Sequence, residues 1–140
     1  GIIAGGALRG RRGHAKTDGA DLSFALREAV EHATQAVSDA ALWGVAADAG
    51  FAAMADALRD AARALARAAE TRGDARAEAL AEAKRLAAGT ELRRRAVRAA
   101  AHESPFFVES VKRSEIASRL SACAEALQQA SDALAGSLAE

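Results

Sequence analysis

The sequence predicts an all-α protein that folds as an antiparallel up-down bundle of about four helices. Tyrosine is absent, proline occurs once, and there are only four phenylalanines and one tryptophan in 140 residues. Ala, Leu, Glu and Arg are abundant, and these are strong helix formers. Apolar residues recur at helical spacing between short breaks, and the length fits one domain with a real core.

The chain divides near residue 20. Residues 1–20 are rich in Gly and Arg and end in a turn signal at 16–19, so we expect a flexible arm or a helix remnant. Residues 21–140 are the bundle domain. Its first helix is predicted to begin at an N-cap, Asp21, to run to about Ala47 and to be ended by residues 48–50. Its core face is predicted from Leu22, Leu26, Ala29, Val30, Ala33, Val37, Ala40 and Ala41.

The second and third helices are predicted to form a tight antiparallel pair. Phe51, Met54, Leu58 and Leu65 lie on one stripe of the second helix. Gly73 is a natural residue to follow its end, and Asp74 is a natural N-cap for the third helix, which runs to about His102. Leu80, Ala83, Leu86 and Val97 are expected to face inward. Because Gly89 and Thr90 lower helix stability, a kink or a short interruption is expected there.

The last helix has the clearest start signal. Ser104 is a favourable N-cap and Pro105 a favourable first helical residue. Phe106, Phe107, Val108 and Val111 follow. Steps of four and three residues then produce a coiled-coil-like seam. The seam consists of Ile116, Leu120, Cys123, Leu127, Ala130 and Leu134.

Charge and cysteine content exclude several classes of function. Nineteen basic and nineteen acidic residues cancel, and the arginine groups at 9–12 and 93–95 lack interleaved aromatic residues, so nucleic-acid binding is not expected. Cys123 is the single cysteine, which excludes an internal disulfide and fits a reducing compartment. No apolar run approaches the roughly 20 residues that cross a bilayer. We expect a cytoplasmic protein, peripheral to a membrane at most.

One polar pattern occurs twice. Leu26, Glu31 and Gln35 have the same spacing as Leu120, Glu125 and Gln129. At 100° per residue, both Glu/Gln pairs point away from the predicted core, and Asp39 extends the first row by one turn. Two interpretations remain open: an ordinary solvated helix surface, or a surface metal or ligand site in which carboxylates bind well and the Gln amides bind weakly.

Catalytic patterns are lacking. His14, His32 and His102 form no convincing ligand set, and no nucleophile–base pair, phosphate-binding loop or dinucleotide fingerprint is present. An enzyme is therefore not expected. The many alanines bury little area each, so we expect the core to give the fold only modest stability. A partner protein or a second copy, as in a homodimer, would increase that stability.

The order of residues along the last helix resembles that of the PhoU-like family, most closely the members encoded beside Pit-type phosphate permeases. The resemblance covers about residues 16–138, with the middle matching by length and turn position. An earlier helix of the family is matched by residues 17–22 and 31–41. In the last helix the residues concerned are Glu103, Ser104, Pro105, Lys112, Glu115, Ile116, Leu120, Glu125, Ala130, Leu134 and Gly136.

The resemblance implies a repeat of antiparallel three-helix bundles, a regulatory or accessory role in phosphate uptake, and iron or zinc held by acidic rows on the surface. The matching positions are Glu31, Gln35, Asp39, Glu91, Glu125 and Gln129. Gln35 and Gln129 stand where the family has Asp, and Ala87 stands where it has Glu. Any iron or zinc is therefore expected to bind weakly.

Two functions follow from the sequence. The first is a PhoU-like accessory or regulatory protein that binds a membrane transporter or a signalling protein. The second is a metal-free helical interaction module unrelated to phosphate. The sequence order of the residues that resemble the family favours the first function. The loss of acidic metal ligands and the alanine-rich faces favour the second.

Overall fold

The computed structural model describes residues 2–138, with side chains described for 19–137. Within residues 2–138 the chain forms four helices and no strand: α1 (Ile2–Trp43), α2 (Ala49–Glu70), α3 (Gly73–His102) and α4 (Phe107–Leu138). The predicted all-α bundle is confirmed. No helix among these residues combines the length and apolar character needed to cross a membrane.

α4 is the central helix of the bundle. It packs against α1 and α3 and touches α2 over a shorter stretch, while α2 packs mainly on α3. α1 makes no close backbone contact with α2 or α3 in the part of the chain that is described. Lys84 pairs with Asp132 at 2.6 Å and Glu91 accepts a hydrogen bond from Ser121 at 3.0 Å, which shows that α3 and α4 run antiparallel. Because α1 packs only on α4 among the described residues, one face of α1 is left open.

The predicted seam of α4 lies in the core. Cys123 and Leu127 are buried, as are Ile116, Ala130 and Leu134, and Leu120 is half-buried. Glu125 and Gln129 are exposed, as the helical geometry predicted. The regular spacing of four and three residues keeps one apolar face on the neighbouring helices over the whole length of the seam.

Alanine fills much of the interior. Ala61, Ala64, Ala68, Ala117 and Ala130 have no exposed surface at all. A methyl side chain lets helix axes approach closely, so the helices pack without large side chains between them. Small increases in side-chain volume at these positions are consequently hard to accommodate.

The predicted limits of the first helix are wrong. α1 extends back to Ile2, across the boundary placed at residue 20, and continues through Asp21, which is therefore not an N-cap. It ends at Trp43 rather than near Ala47, because Gly44 adopts a φ of +67° that other residues rarely tolerate. Asp48 does not end this helix. It caps the next one.

The predicted core face of α1 is only partly correct: Leu22, Ala33 and Ala40 are half-buried against the core, but the larger residues of the stripe are not. Ala25, Ala29 and Ala36 are buried, whereas Leu26, Val30 and Val37 are exposed. At 100° per residue the buried face is rotated by about a quarter of a turn from the apolar stripe. α1 has α4 as its neighbour, and the alanine face allows the closer approach, so the larger side chains remain outside.

The ends and the middle of α3 differ from prediction. Gly73 has a φ of +61° at the turn, and Arg72 occupies the N-cap position without a side-chain cap, in place of Asp74. The expected interruption is wrong, because α3 is continuous through Gly89 and Thr90. Thr90 is fully buried and its hydroxyl donates to the Leu86 carbonyl at 3.3 Å, which satisfies the polar group inside the helix.

α4 begins slightly later than predicted. Its first helical residue is Phe107, two residues after Pro105. Ser104 still supplies a capping contact, since its hydroxyl accepts a hydrogen bond from the Phe106 N–H at 3.2 Å. The start signal therefore located the turn correctly and missed the first helical residue by two positions.

Candidate functional site

The polar row of α1 lies on the surface. Glu31 and Gln35 are exposed and Asp39 is half-buried. Within the row, the Gln35 Nε2 donates to Asp39 Oδ1 at 2.8 Å. The amide of Gln35 is therefore occupied by the carboxylate that follows it one turn later.

Glu91 and Glu125 lie together, across the contact between α3 and α4. Both line a cavity of about 340 Å³ that Ser121 and Gln128 also line. Glu91 accepts hydrogen bonds from Ser121 at 3.0 Å and from Arg94 at 3.0 Å. The Ser121 hydrogen bond and the Arg94 charge together outweigh the effect of burial and hold the pKa of Glu91 below its ordinary value of 4.5. Its carboxylate is ionised but already engaged.

Gln129 lies at a different cavity. That cavity, of about 350 Å³, is shared with Asp21 and Phe24 of α1 and with Asp132. Among the described residues, no group of three His, Cys, Asp or Glu side chains comes together in a way that could hold a metal ion. Gln129 lies one turn beyond Glu125 on α4, but the six predicted positions do not gather into one ligand group. They do not fit the iron or zinc cluster that the family resemblance implies.

We expect protein purified without chelator to contain far less than a stoichiometric amount of tightly bound iron or zinc. The reason is that two positions carry neutral amides and that Glu91 is paired with arginine. Elemental analysis before and after dialysis against EDTA measures this. A full multinuclear complement that resists dialysis would show that the separate rows do assemble into a metal site.

The first turns of α4 have apolar side chains on the outside. Phe106 is 71 % exposed and Phe107 is 80 % exposed, and Val108 and Val111 are also exposed. We call these four residues the tip. A cleft of about 370 Å³, shared by His102, Pro105 and Glu115 among others, lies beside Phe107 and Val111. Large contiguous apolar patches are uncommon on the surface of a monomer, so the tip is a candidate interaction surface.

Charged residues of the same turns contact the rest of the protein. The Arg113 guanidinium pairs with Asp48, its Nε lies 3.3 Å from Glu109 Oε1, and its Cζ lies 5.5 Å from the centroid of the Phe51 ring. Asp48 Oδ1 in turn accepts a hydrogen bond from the Phe51 N–H at 3.0 Å. Arg113 thus joins the beginning of α4 to the beginning of α2 by an ion pair and a cation–π contact.

A second contact fixes the same end of α4 to α1. The Lys112 Nζ donates to the Trp43 carbonyl at 3.4 Å, at the last residue of α1. A cation at the carboxyl end of a helix is also favourable for the helix dipole. Lys112 and Arg113 therefore point toward the body of the protein, while Phe107 and Val111, which lie on the opposite side of α4 at 100° per residue, face solvent.

The sequence predicted neither the tip nor its supporting contacts. Ser104–Pro105 located the start of the helix, but the adjoining apolar residues could equally have faced the core. Asp48 and Arg113 are 65 residues apart in the chain, so their pairing leaves no local signal. The apolar run at 106–108 followed by two cations was the only visible indication of an amphipathic turn.

The contacts that Asp48 makes with Arg113 and with the Phe51 N–H depend on pH. Partial burial alone raises the pKa of Asp48, but the Phe51 N–H and the Arg113 charge outweigh it, so the pKa lies below its ordinary value of 3.8. A carboxyl with a depressed folded-state pKa stabilises the fold above its unfolded pKa. That stability is lost as the pH falls from about 3.8 through the folded-state value.

We expect Asp48→Ala to lower the free energy of unfolding at pH 7 by about 0.5–2 kcal/mol, the usual cost of losing an N-cap side chain. At a second pH, well below 3.8, the difference from the wild type should shrink, since protonation of Asp48 removes its contribution. Urea unfolding at both pH values measures the effect. The control is Asp56→Ala, because Asp56 is an exposed residue of the same helix that pairs only with Arg59. Equal losses in both variants at both pH values would contradict the role of Asp48.

Comparison with known proteins adds no relative. No protein-family model, no curated protein and no solved structure matches this chain. The resemblance to PhoU-like proteins therefore stays a prediction that rests on the order of the matching residues along the sequence.

Proposed function

We propose that this protein acts by binding a partner protein through the tip, without catalysing a reaction. The observation that supports the proposal is the reversed arrangement of the first turns of α4. Phe106 and Phe107 face solvent there, while Lys112 and Arg113 are used to hold the helix in place. An arrangement in which cations point inward and phenylalanines point outward exposes apolar surface that folding alone does not require.

The tip has the properties of an anchoring surface. Aromatic side chains supply a large share of binding energy when a partner buries them. The helix that carries them is fixed by contacts to both α1 and α2, so little ordering is needed on binding. Because Phe106 and Phe107 project outward, the complementary surface is an apolar pocket on the partner.

The family resemblance suggests which partner to test first. A PhoU-like accessory protein would bind a phosphate transporter on its cytoplasmic side, or a signalling protein that reports phosphate supply. This more specific function depends on the order of the matching residues between 103 and 136, such as Glu103, Lys112 and Glu115. The alternative is an interaction protein unrelated to phosphate, and the identity of the partner decides between the two.

Cross-linking in the source cells tests the proposal. A photoreactive phenylalanine analogue at Phe107 should cross-link to one distinct protein, which mass spectrometry then identifies. The same analogue at Leu92, exposed on α3, is the matched control and should give no such product. Phe106→Ser placed beside the probe should reduce the yield at least tenfold, with the melting temperature unchanged because Phe106 is exposed.

Three results would overturn the proposal. The first is equal cross-linking from Phe107 and Leu92. The second is a Phe107 product that Phe106→Ser leaves unchanged. The third is sedimentation with phosphatidylcholine or phosphatidylglycerol vesicles that depends on Phe107, which would make the tip a membrane contact. A partner that carries or senses phosphate supports the PhoU-like function, and any other partner supports the unrelated interaction module.

A further inference from the structure

A second apolar surface lies on α1. Val30 is 65 % exposed and Val37 is 71 % exposed, with Leu26 also exposed and Ala33 half-buried. Their spacing is four, three and four residues, which places them in one row on the helix. We call Leu26, Val30, Ala33 and Val37 the α1 stripe. This spacing is the one that a helix uses to pack against another helix along its length.

An open groove adjoins one end of the α1 stripe. It has a volume of about 270 Å³ and lies between α1 and α2, whose described backbones make no close contact, with α4 as its floor. Its walls are almost wholly apolar. The larger side chains that line it are Val37, Val45, Phe51, Ile116 and Leu120. The groove lies at the Val37 end of the stripe, and the largest side chain of the stripe, Leu26, lies at the other end.

We propose that α1 of a second copy of this chain packs antiparallel on the α1 stripe, forming a two-fold symmetric dimer. A two-fold axis that passes between the two α1 helices, level with the midpoint of residues 31 and 32, sets Leu26 of each copy against Val37 of the other. It also sets Val30 of each copy against Ala33 of the other. Each contact then occurs twice, as a symmetric dimer interface requires.

The groove supports this register. With the axis between residues 31 and 32, Leu26 of one copy comes opposite Val37 of the other, at the mouth of the groove. The largest side chain of the stripe thus meets the apolar groove, and symmetry repeats the contact at the other end. A parallel arrangement would set Ala33 against Ala33 and leave a gap between the helices. It would also bring the smaller Val37, not Leu26, to the groove.

Charge does not oppose the pairing. Glu31 and Gln35 lie on the opposite side of α1 from the stripe and remain in water. Arg27, which flanks the stripe, comes near the uncharged Thr34 of the second copy. No like charges of α1 are brought face to face, so the dimer incurs no repulsion of that kind.

The interface is small. The paired region of α1, from about residue 22 to 41, is roughly 30 Å long. One helix pair of this length falls short of the roughly 800 Å² per partner of a standard stable interface. The dimer should therefore dissociate on dilution, so its formation must be measured over a range of concentrations.

Sedimentation equilibrium from micromolar to millimolar concentration is the first test. The wild type should pass from monomer to dimer, and Val37→Glu should raise the dissociation constant at least tenfold. Gln35→Glu is the matched control, because it adds the same charge two residues away on the face that stays in water. Circular dichroism checks that both variants fold, which is expected since both positions are exposed.

Spin labels determine the direction of pairing. Residue 23 of one copy lies opposite residue 40 of the other, so two labels at Ser23→Cys are about 17 residues, or about 25 Å, apart along the axis. Labels at Thr34→Cys should lie within about 15 Å, since the helices are only 8–10 Å apart. The native Cys123 is buried and should not take up the label.

The outcomes are distinct. A protein that stays monomeric up to millimolar concentration overturns the dimer, as does association that Val37→Glu and Gln35→Glu weaken equally. Short distances at both Ser23→Cys and Thr34→Cys would show parallel pairing and overturn the proposed register. The tip takes no part in these measurements, so the proposed partner binding and the dimer can fail separately.

Discussion

Leu127→Asp is expected to abolish the cooperative unfolding transition. Leu127 is buried among residues of α1, α2, α3 and α4, in the middle of the seam. Aspartate removes the apolar contacts of a leucine, worth about 2–5 kcal/mol in a core, and adds the cost of an unpaired charge in an apolar environment. The sum approaches the roughly 5–15 kcal/mol that holds a small domain together.

Thermal unfolding followed by circular dichroism measures this effect. Leu92→Asp is the matched control, since it makes the same change at an exposed position of α3. The control should melt within a few degrees of the wild type, with the same steepness. A Leu127→Asp protein that unfolds with a nearly unchanged curve would mean that the seam does not face the core.

Ala61→Leu is expected to lower the free energy of unfolding by about 1–3 kcal/mol, the usual cost of overpacking a core. Ala61 has no exposed surface and lies in the cluster formed by α2 with α3 and α4. The added carbons can fit only if helices move apart, which would also loosen the contacts of the neighbouring alanines. The structure thus predicts that a larger apolar side chain weakens this core.

The adjacent residue provides the control. Ala62 is exposed on the same helix, and leucine has nearly the same helix propensity as alanine, so Ala62→Leu should change stability by less than about 0.5 kcal/mol. Urea unfolding of both variants gives the comparison. Equal stability of the two would contradict the close packing of α2. A stabilised Ala61→Leu would instead reveal a cavity at this position.

Periodicity in the sequence was enough to predict α4. Cys123 and Leu127 recur at steps of four and three with large apolar neighbours, and between residues 116 and 134 no large apolar residue lies on another face of the helix. The direction of Glu125 followed from the same geometry. Where one face is clearly more apolar than the others, the sequence therefore fixes both the core and the surface of a helix.

Periodicity placed the core face of α1 only approximately, because two faces compete. Leu26, Val30 and Val37 make one face more hydrophobic, whereas Ala25 and Ala29 give another face smaller side chains that allow closer packing. The side that packs depends on how closely α4 can approach, and that depends on the shape of another helix rather than on the local pattern. The larger side chains are left on the outside, and the proposed dimer covers them.

The candidate site could be predicted only in part. The outward direction of Glu31 and Gln129 followed from the sequence, but whether such side chains gather into one ligand group depends on how the helices are arranged. The tip depends on Lys112 reaching Trp43 and on Arg113 reaching Asp48, and these pairs are 69 and 65 residues apart. Contacts at such separations have no signature in a single sequence.

Thiol labelling of α4 tests most directly the claim that its middle faces the core while its first turns hold apolar residues in solvent. Cys123 is buried, and burial raises the pKa of its thiol, so in the native wild type it should react with a thiol reagent only as fast as the protein opens. Phe107→Cys should add one thiol that reacts at the rate of a free cysteine. Rapid labelling of Cys123 in the folded protein, or protection of the cysteine at position 107, would contradict this description of the helix.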